Sequence, residues 1–199
     1  MSRADGPWTP RFGLAARVIS SRWFRRYFGG DLPERDIRWG GVRAGMDVYE
    51  LGAGAGLYTL PLARSLGEKG RLAAGEYWPS GAALLGARVK KAGLDNVVVH
   101  VGDGNALPAR SGSLDAVCCF YSIEEIPGCE NVALQLGEAL RPGGLMILFL
   151  WRPLCRRAKR NSLLATLRKA GFREAAVWKS IQNYRIVLEK PDEDHSSSQ

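Results

Sequence analysis

Glu50-Leu51-Gly52-Ala53-Gly54-Ala55-Gly56 places one carboxylate and three glycines within seven residues. A carboxylate there can hold a cation or accept backbone N–H groups. The glycines let the chain take positive φ and let a ligand approach without meeting a Cβ. The stretch follows an apolar run, Met46 to Tyr49, and precedes Leu57 to Ser65, which reads as a helix. A strand ending in an acid, a tight turn and a helix start with unsatisfied N–H groups make a nucleotide-binding corner. A glycine-rich βα loop without a ligand uses the same residues, so the downstream elements must decide.

The spacing separates two kinds of nucleotide. A dinucleotide fingerprint needs G-x-G-x-x-G, and its third glycine falls here on Leu57. The pattern is instead E-x-G-x-G-x-G. Arg71 to Tyr77 predicts a second strand bearing Glu76 near its end, and Pro79 to Ala92 a helix with Leu85, Val89 and Ala92 on one face. Glu76 lies about twenty residues past the glycines, where an acid accepts both hydroxyls of a ribose. The same residue also reads as an exposed glutamate in a loop. Asn96 to Val101 and Ser113 to Tyr121 read as further strands, and Leu145 to Trp151 as a strongly apolar one.

Taken in order, Glu50 with its glycines, Glu76, the Gly102-Asp103-Gly104 loop, the Asp115 strand and Leu140-Arg141-Pro142-Gly143-Gly144 resemble the class I methyltransferases that use S-adenosylmethionine. The resemblance implies an α/β fold, a Rossmann-like doubly wound seven-stranded sheet with an antiparallel last strand. It implies S-adenosyl-L-methionine as cofactor. Glu50 would order the turn or bond the methionine ammonium, and the backbone of Gly52, Ala53, Gly54 and Gly56 would hold the methionine end. Glu76 would hold the ribose, Tyr77 would flank the adenine, and Asp103 with Gly104 would read it. Tyr121 and Ser122 would face the transferred methyl, with plain strand-end packing as the other reading. Glu124 and Glu125 are the ionisable groups nearest the acceptor side. One would serve as a base if burial raised its pKa, or both are helix-start carboxylates. Tyr121, Glu124 and Glu125 are thus the catalytic candidates.

Gly45-Met46-Asp47-Val48, Leu60 to Arg64 and Ala106-Leu107-Pro108 resemble the small quinone-biosynthesis-type C-methyltransferases. That group implies a small-molecule acceptor, quinone-like or lipid. Where many relatives carry a histidine after the fourth strand, this chain has Ile123-Glu124-Glu125-Ile126-Pro127. Three other readings stay open: a catalytically silent adenosyl-ligand binder, a methyltransferase acting on RNA, and a nicotinamide-dependent reductase. The absent third glycine and the lack of a Tyr-x-x-x-Lys pair oppose the last.

The elements that must position these groups fit one domain of 199 residues with 46% apolar content. Residues 1–40 read as an N-terminal helical cap or lid, 41–191 as the methyltransferase domain, and 192–199 as a disordered polar tail. Asn131 to Leu140 and Ser162 to Lys169 predict helices. Glu174 to Lys179 and Tyr184 to Glu189 predict a hairpin. The cysteines at 118, 119, 129 and 155, with His100 and His195, form no zinc spacing, so no metal is expected. Cys118 and Cys119 should point to opposite faces of one strand. No apolar run reaches membrane-spanning length and no leader follows Met1, which points to a cytoplasmic protein. The net charge is +8, concentrated at Arg11 to Phe28 and Arg152 to Lys169. Solvated helix faces explain such blocks, and so does peripheral contact of the basic N-terminal segment with an anionic membrane, or RNA. The oligomeric state stays open.

Overall fold

The computed structural model describes residues 32–102, 109–153, 155–181 and 183–192. The basic N-terminal helix expected within residues 11–28, the Asp103 and Gly104 positions and the polar tail from 193 onward lie outside them.

Seven strands form one sheet: β1 (Asp47–Leu51), β2 (Arg71–Glu76), β3 (Val97–Val101), β4 (Leu114–Phe120), β5 (Leu140–Trp151), β6 (Arg173–Lys179) and β7 (Asn183–Glu189). The order is β3-β2-β1-β4-β5-β7-β6. Strands β1 to β5 are mutually parallel, and β7 is antiparallel to both β5 and β6. This is the Rossmann-like methyltransferase sheet with its antiparallel last strand. Its order reverses between β1 and β4, and a ligand crevice opens there beyond the carboxyl ends of the strands.

The helices are α1 (Pro33–Trp39), α2 (Thr59–Leu66), α3 (Pro79–Lys91), α4 (Cys129–Ala139) and α5 (Arg157–Lys169), with a 3₁₀ turn at Ile123–Glu125. Each follows from an apolar stripe. In α2, Thr59, Leu62, Ala63 and Leu66 are buried at i, i+3, i+4 and i+7. In α3, Pro79 supplies a preset φ at the start, Leu85 and Val89 face the sheet, and Arg88, Lys90 and Lys91 sit at the negative helix end.

Alternation along the central strands divides the core in two. Cys119, Leu148 and Leu150 pack with α4 and α5 on one side, while Cys118, Ile147 and Phe149 pack with α1 and α2 on the other. The two adjacent cysteines do point to opposite faces, and all four cysteines are buried and free.

Several boundaries moved; helix α4, for one, spans Cys129–Ala139 rather than Asn131 to Leu140. Helix α2 begins at Thr59 rather than Leu57, because the glycine turn continues through Tyr58. Helix α5 begins at Arg157, five residues before Ser162. Its first turns are basic and half exposed, so they carry no apolar periodicity. Strand β5 extends back to Leu140, which pairs with Leu114 before a register shift. Asp115 fixes that irregular start: it accepts the Asp47 N–H at 2.6 Å and pairs with Arg141 at 2.6 Å. Among the described residues no helix is long and apolar enough to cross a membrane, and no group of three His, Cys, Asp or Glu is placed to hold a metal.

Candidate functional site

The glycine turn leaves β1 with Gly52, Gly54 and Gly56 at φ +71°, +56° and +87°. Neighbours hold it from several sides. The N–H groups of Gly52 and Ala53 both donate to the Gly75 carbonyl, at 2.9 and 3.0 Å. Ser122 Oγ donates to the Leu51 carbonyl at 2.6 Å, and the Arg88 guanidinium donates to the Ala55 carbonyl. Gly52 and Gly54 differ in what surrounds them. A Cβ on Gly52 would lie 2.4 Å from that of Ser122, whereas one on Gly54 would meet nothing within 4 Å. Gly52 serves packing, and Gly54 faces open space.

Glu76 closes β2 and clasps the turn. One carboxylate oxygen accepts the Gly54 N–H at 2.8 Å, and the other accepts the Trp78 N–H at 3.0 Å. The residue is buried, so these two bonds replace its lost hydration. Each oxygen keeps a further lone pair for a hydroxyl. Tyr77, beside it, is exposed and packs edge-on against Trp78 at 4.9 Å.

Glu50 is also buried, and its Oε2 has no hydrogen-bond partner among the described residues. Loss of water pushes its pKa up to about 8. The Thr59 hydroxyl beside it opposes the shift, and the Glu76 charge adds to it. A buried carboxyl of this kind is stabilised as the anion by a cation placed against it.

The neighbouring side of the turn is built from α1, the ends of β4 and β5, and β7. Tyr121 follows β4 at φ +56°, the one positive value among described non-glycine residues. Its N–H donates to the Phe149 carbonyl at 2.8 Å, and its hydroxyl lies 3.3 Å from Arg185 Nη2. Arg185 is itself buried, paired with Asp36 at 2.7 Å, and stacked 4.7 Å from the rings of both Phe149 and Trp178. Tyr58 donates to the other Asp36 oxygen at 3.3 Å and stacks on Phe120 at 4.1 Å. An aromatic wall threaded by one ion pair thus backs the end of β4.

The two glutamates after β4 diverge. Glu124 is buried, and its Oε1 accepts the Trp151 N–H at 2.9 Å, so it ties the 3₁₀ turn to the end of β5. The Lys159 ammonium caps the same turn through the carbonyls of Glu124 and Ile126. Burial raises the Glu124 pKa. Glu125 is exposed; partial desolvation, and then the charge of Glu76, raise its pKa.

The structure therefore brings together Glu50, Gly52, Ala53, Gly54, Gly56, Glu76 and Ser122 around the turn, with Tyr121 next to Ser122 at the end of β4. Asp36, Tyr58, Arg88 and Arg185 join them without having been anticipated. Only Arg185 left a trace in the sequence, as a charge beside the apolar Ile186-Val187-Leu188.

The residues fit a cationic adenosyl ligand. Glu50 has an orphaned buried oxygen, Gly54 faces open space, and Glu76 keeps lone pairs beside the turn. They suit a pyrophosphate poorly, because the two buried carboxyls offer it no positive charge.

A family model described as a methyltransferase domain matches residues 48–144. The demethylmenaquinone methyltransferase of Lactococcus lactis is 26% identical over 107 residues, which is 54% of this chain and 42% of that protein. The protein-L-isoaspartate O-methyltransferase of Thermotoga maritima is 30% identical over 121 residues, 61% of this chain and 36% of that protein. The chain thus matches less than half the length of these relatives. Among solved structures, an S-adenosylmethionine-dependent methyltransferase from Aquifex aeolicus superposes with a TM-score of 0.76 at 20% identity, covering 88% of this chain and 97% of that one. Residues 48–144 thus match a methyltransferase domain, and the strand order is the fold of the solved S-adenosylmethionine-dependent methyltransferase.

Proposed function

We propose that this protein binds S-adenosylmethionine at the glycine turn and transfers its methyl group to a small, largely apolar acceptor. The observation that carries this reading is Glu50, a buried carboxyl with an unpartnered oxygen under a turn that is open at Gly54. It calls for a cation, and the ammonium of the methionine end supplies one. Glu76 would hold the ribose, Tyr77 would flank the adenine, and the Asp103–Gly104 loop would read it.

The cofactor when bound supplies an already activated methyl group, so the chain's own work is orientation and exclusion of water. Alignment of that kind accounts for roughly 7–11 kcal/mol of a barrier. Tyr58, Phe120, Tyr121 and Phe149 furnish apolar walls, and Arg185 fixes the Tyr121 hydroxyl. A quinone-like or lipid acceptor suits those walls, and one relative is named for a demethylmenaquinone. Glu125, exposed and raised in pKa by the Glu76 charge, is the better-placed acid–base group, since Glu124 is engaged with Trp151. Residues 1–40 would close over the crevice as a cap.

A second reading, a binder that transfers nothing, draws on the same engagement of Glu124, whose Oε1 is held by the Trp151 N–H while its Oε2 stays unpartnered among the described residues. Calorimetric titration with S-adenosylmethionine, S-adenosylhomocysteine and NADH tests both. Binding of the adenosyl ligands, weakened about 10–100-fold by Glu76→Ala, is expected from loss of two charge-assisted bonds. NADH binding without adenosyl binding would overturn the reading. Adenosyl binding with no methyl transfer to a quinone panel would favour the silent binder.

A further inference from the structure

The carboxyl edge of the sheet carries a second feature next to the crevice. Trp151 at the end of β5 is 46% exposed, Trp178 on β6 is 42% exposed, and Ile181 in the β6–β7 turn is 91% exposed. Strand register gathers them. Trp178 pairs with Arg185, which pairs with Phe149, and Trp151 pairs with Asn183 two rows further toward the edge. Period-two alternation puts both tryptophans on the same face of the sheet. The Arg152 guanidinium donates to the Ser180 carbonyl and ties the end of β5 to the turn that bears Ile181.

Cations flank this edge of the sheet, with Lys179 next to Trp178 and Arg152 next to Trp151 along the chain. Arg152, Arg156, Arg157 and Lys179 are all exposed, and no acidic residue stands in the first turn of α5. Exposed apolar side chains rimmed by charges of one sign mark an interaction surface. Tryptophan prefers the boundary between a polar and an apolar phase, and arginine keeps its head in the polar layer while its stem lies along apolar groups.

We propose that this edge docks on an anionic lipid surface, with Trp151, Trp178 and Ile181 entering the interfacial layer and Arg152, Arg156, Arg157 and Lys179 meeting lipid phosphates. A nucleic acid would match the cations and could stack on the tryptophans, but it has no use for an aliphatic tip as exposed as Ile181. The docking edge is also the edge on which the crevice opens. With the methyltransferase reading, on which this consequence alone rests, an acceptor dissolved in the bilayer would enter without crossing water.

Flotation of the full chain with phosphatidylcholine vesicles, with and without phosphatidylglycerol, tests the surface. Binding to the anionic vesicles is expected. Ile181→Ser should weaken it roughly tenfold through lost apolar insertion, and the Arg156→Glu/Arg157→Glu pair by a similar factor at low salt. Circular dichroism should show both variants folded as wild type. No binding to anionic vesicles overturns the proposal, as does wild-type binding by both variants, which would move the contact elsewhere in the chain. Loss of binding in the arginine variant alone, with single-stranded RNA displacing the vesicles, would overturn it in favour of nucleic acid. Vesicle binding lost in the variants, in a protein that fails to bind S-adenosylhomocysteine, supports the surface and removes only the methyltransferase reading.

Discussion

Arg185 Nη1 lies 2.7 Å from Asp36 Oδ1, a pair separated by 149 residues and almost wholly removed from solvent. It joins α1 to β7 at the edge where Tyr121 stands. Removing one partner leaves the other charge buried, which costs about 3–5 kcal/mol, whereas replacing both costs much less. Arg185→Met should therefore lower the urea midpoint sharply, and the double variant Asp36→Asn/Arg185→Met should recover most of the loss. Equal destabilisation by the single and double variants would show that the two side chains do not act as a pair.

Gly52 and Gly54 separate folding from binding. Alanine at Gly52 combines a left-handed backbone with a clash against Ser122, for a loss of about 2–4 kcal/mol. Alanine at Gly54 carries only the backbone cost, about 1 kcal/mol, but puts a methyl group where a ligand would lie. Thermal melting should rank Gly52→Ala as the less stable, while titration with S-adenosylhomocysteine should show the greater loss per unit of stability in Gly54→Ala. The reverse ranking would mean that Gly54 does not face the ligand.

Glu50 gives a pH signature. Its pKa is near 4.5 when unfolded and about 8 when folded, so the folded state holds the proton more tightly. The stability it confers is complete below about pH 4.5 and is lost as pH rises through about 8. Ligand-free protein should thus lose stability across that window relative to Glu50→Gln, in which the slope is absent. A cation against Glu50 favours the ionised form, so affinity for S-adenosylmethionine should rise with pH, by up to about tenfold per unit below the folded pKa. Parallel pH profiles of wild type and Glu50→Gln, for both unfolding and binding, would contradict this account.

Glu124 should behave as a strut. Glutamine keeps an acceptor for the Trp151 N–H, so Glu124→Gln should preserve stability and turnover. Alanine leaves that donor unpaired and should cost about 1–3 kcal/mol in denaturant unfolding. A large fall in kcat for Glu124→Gln with an unchanged unfolding midpoint would instead make it a proton-transfer group.

Much of this architecture is written locally. Parallel strands buried on both faces must be apolar runs, as in β1 and β4, and turns between them need glycine or proline at fixed places. That made the corner at Glu50–Gly56, the strand end at Glu76 and the β6–β7 hairpin readable from the chain alone. Even the opposite facing of Cys118 and Cys119 follows from strand alternation. The basic start of α5 was unreadable, because long charged side chains form helix without leaving an apolar stripe. What only the tertiary structure decided depends on distance along the chain. Asp36 meets Arg185, Glu124 meets Trp151, and Trp151, Trp178 and Ile181 share one edge because sheet register places them there. Side-chain type sets what each group can do, and burial beside a particular partner sets whether it acts as strut, anchor or ligand.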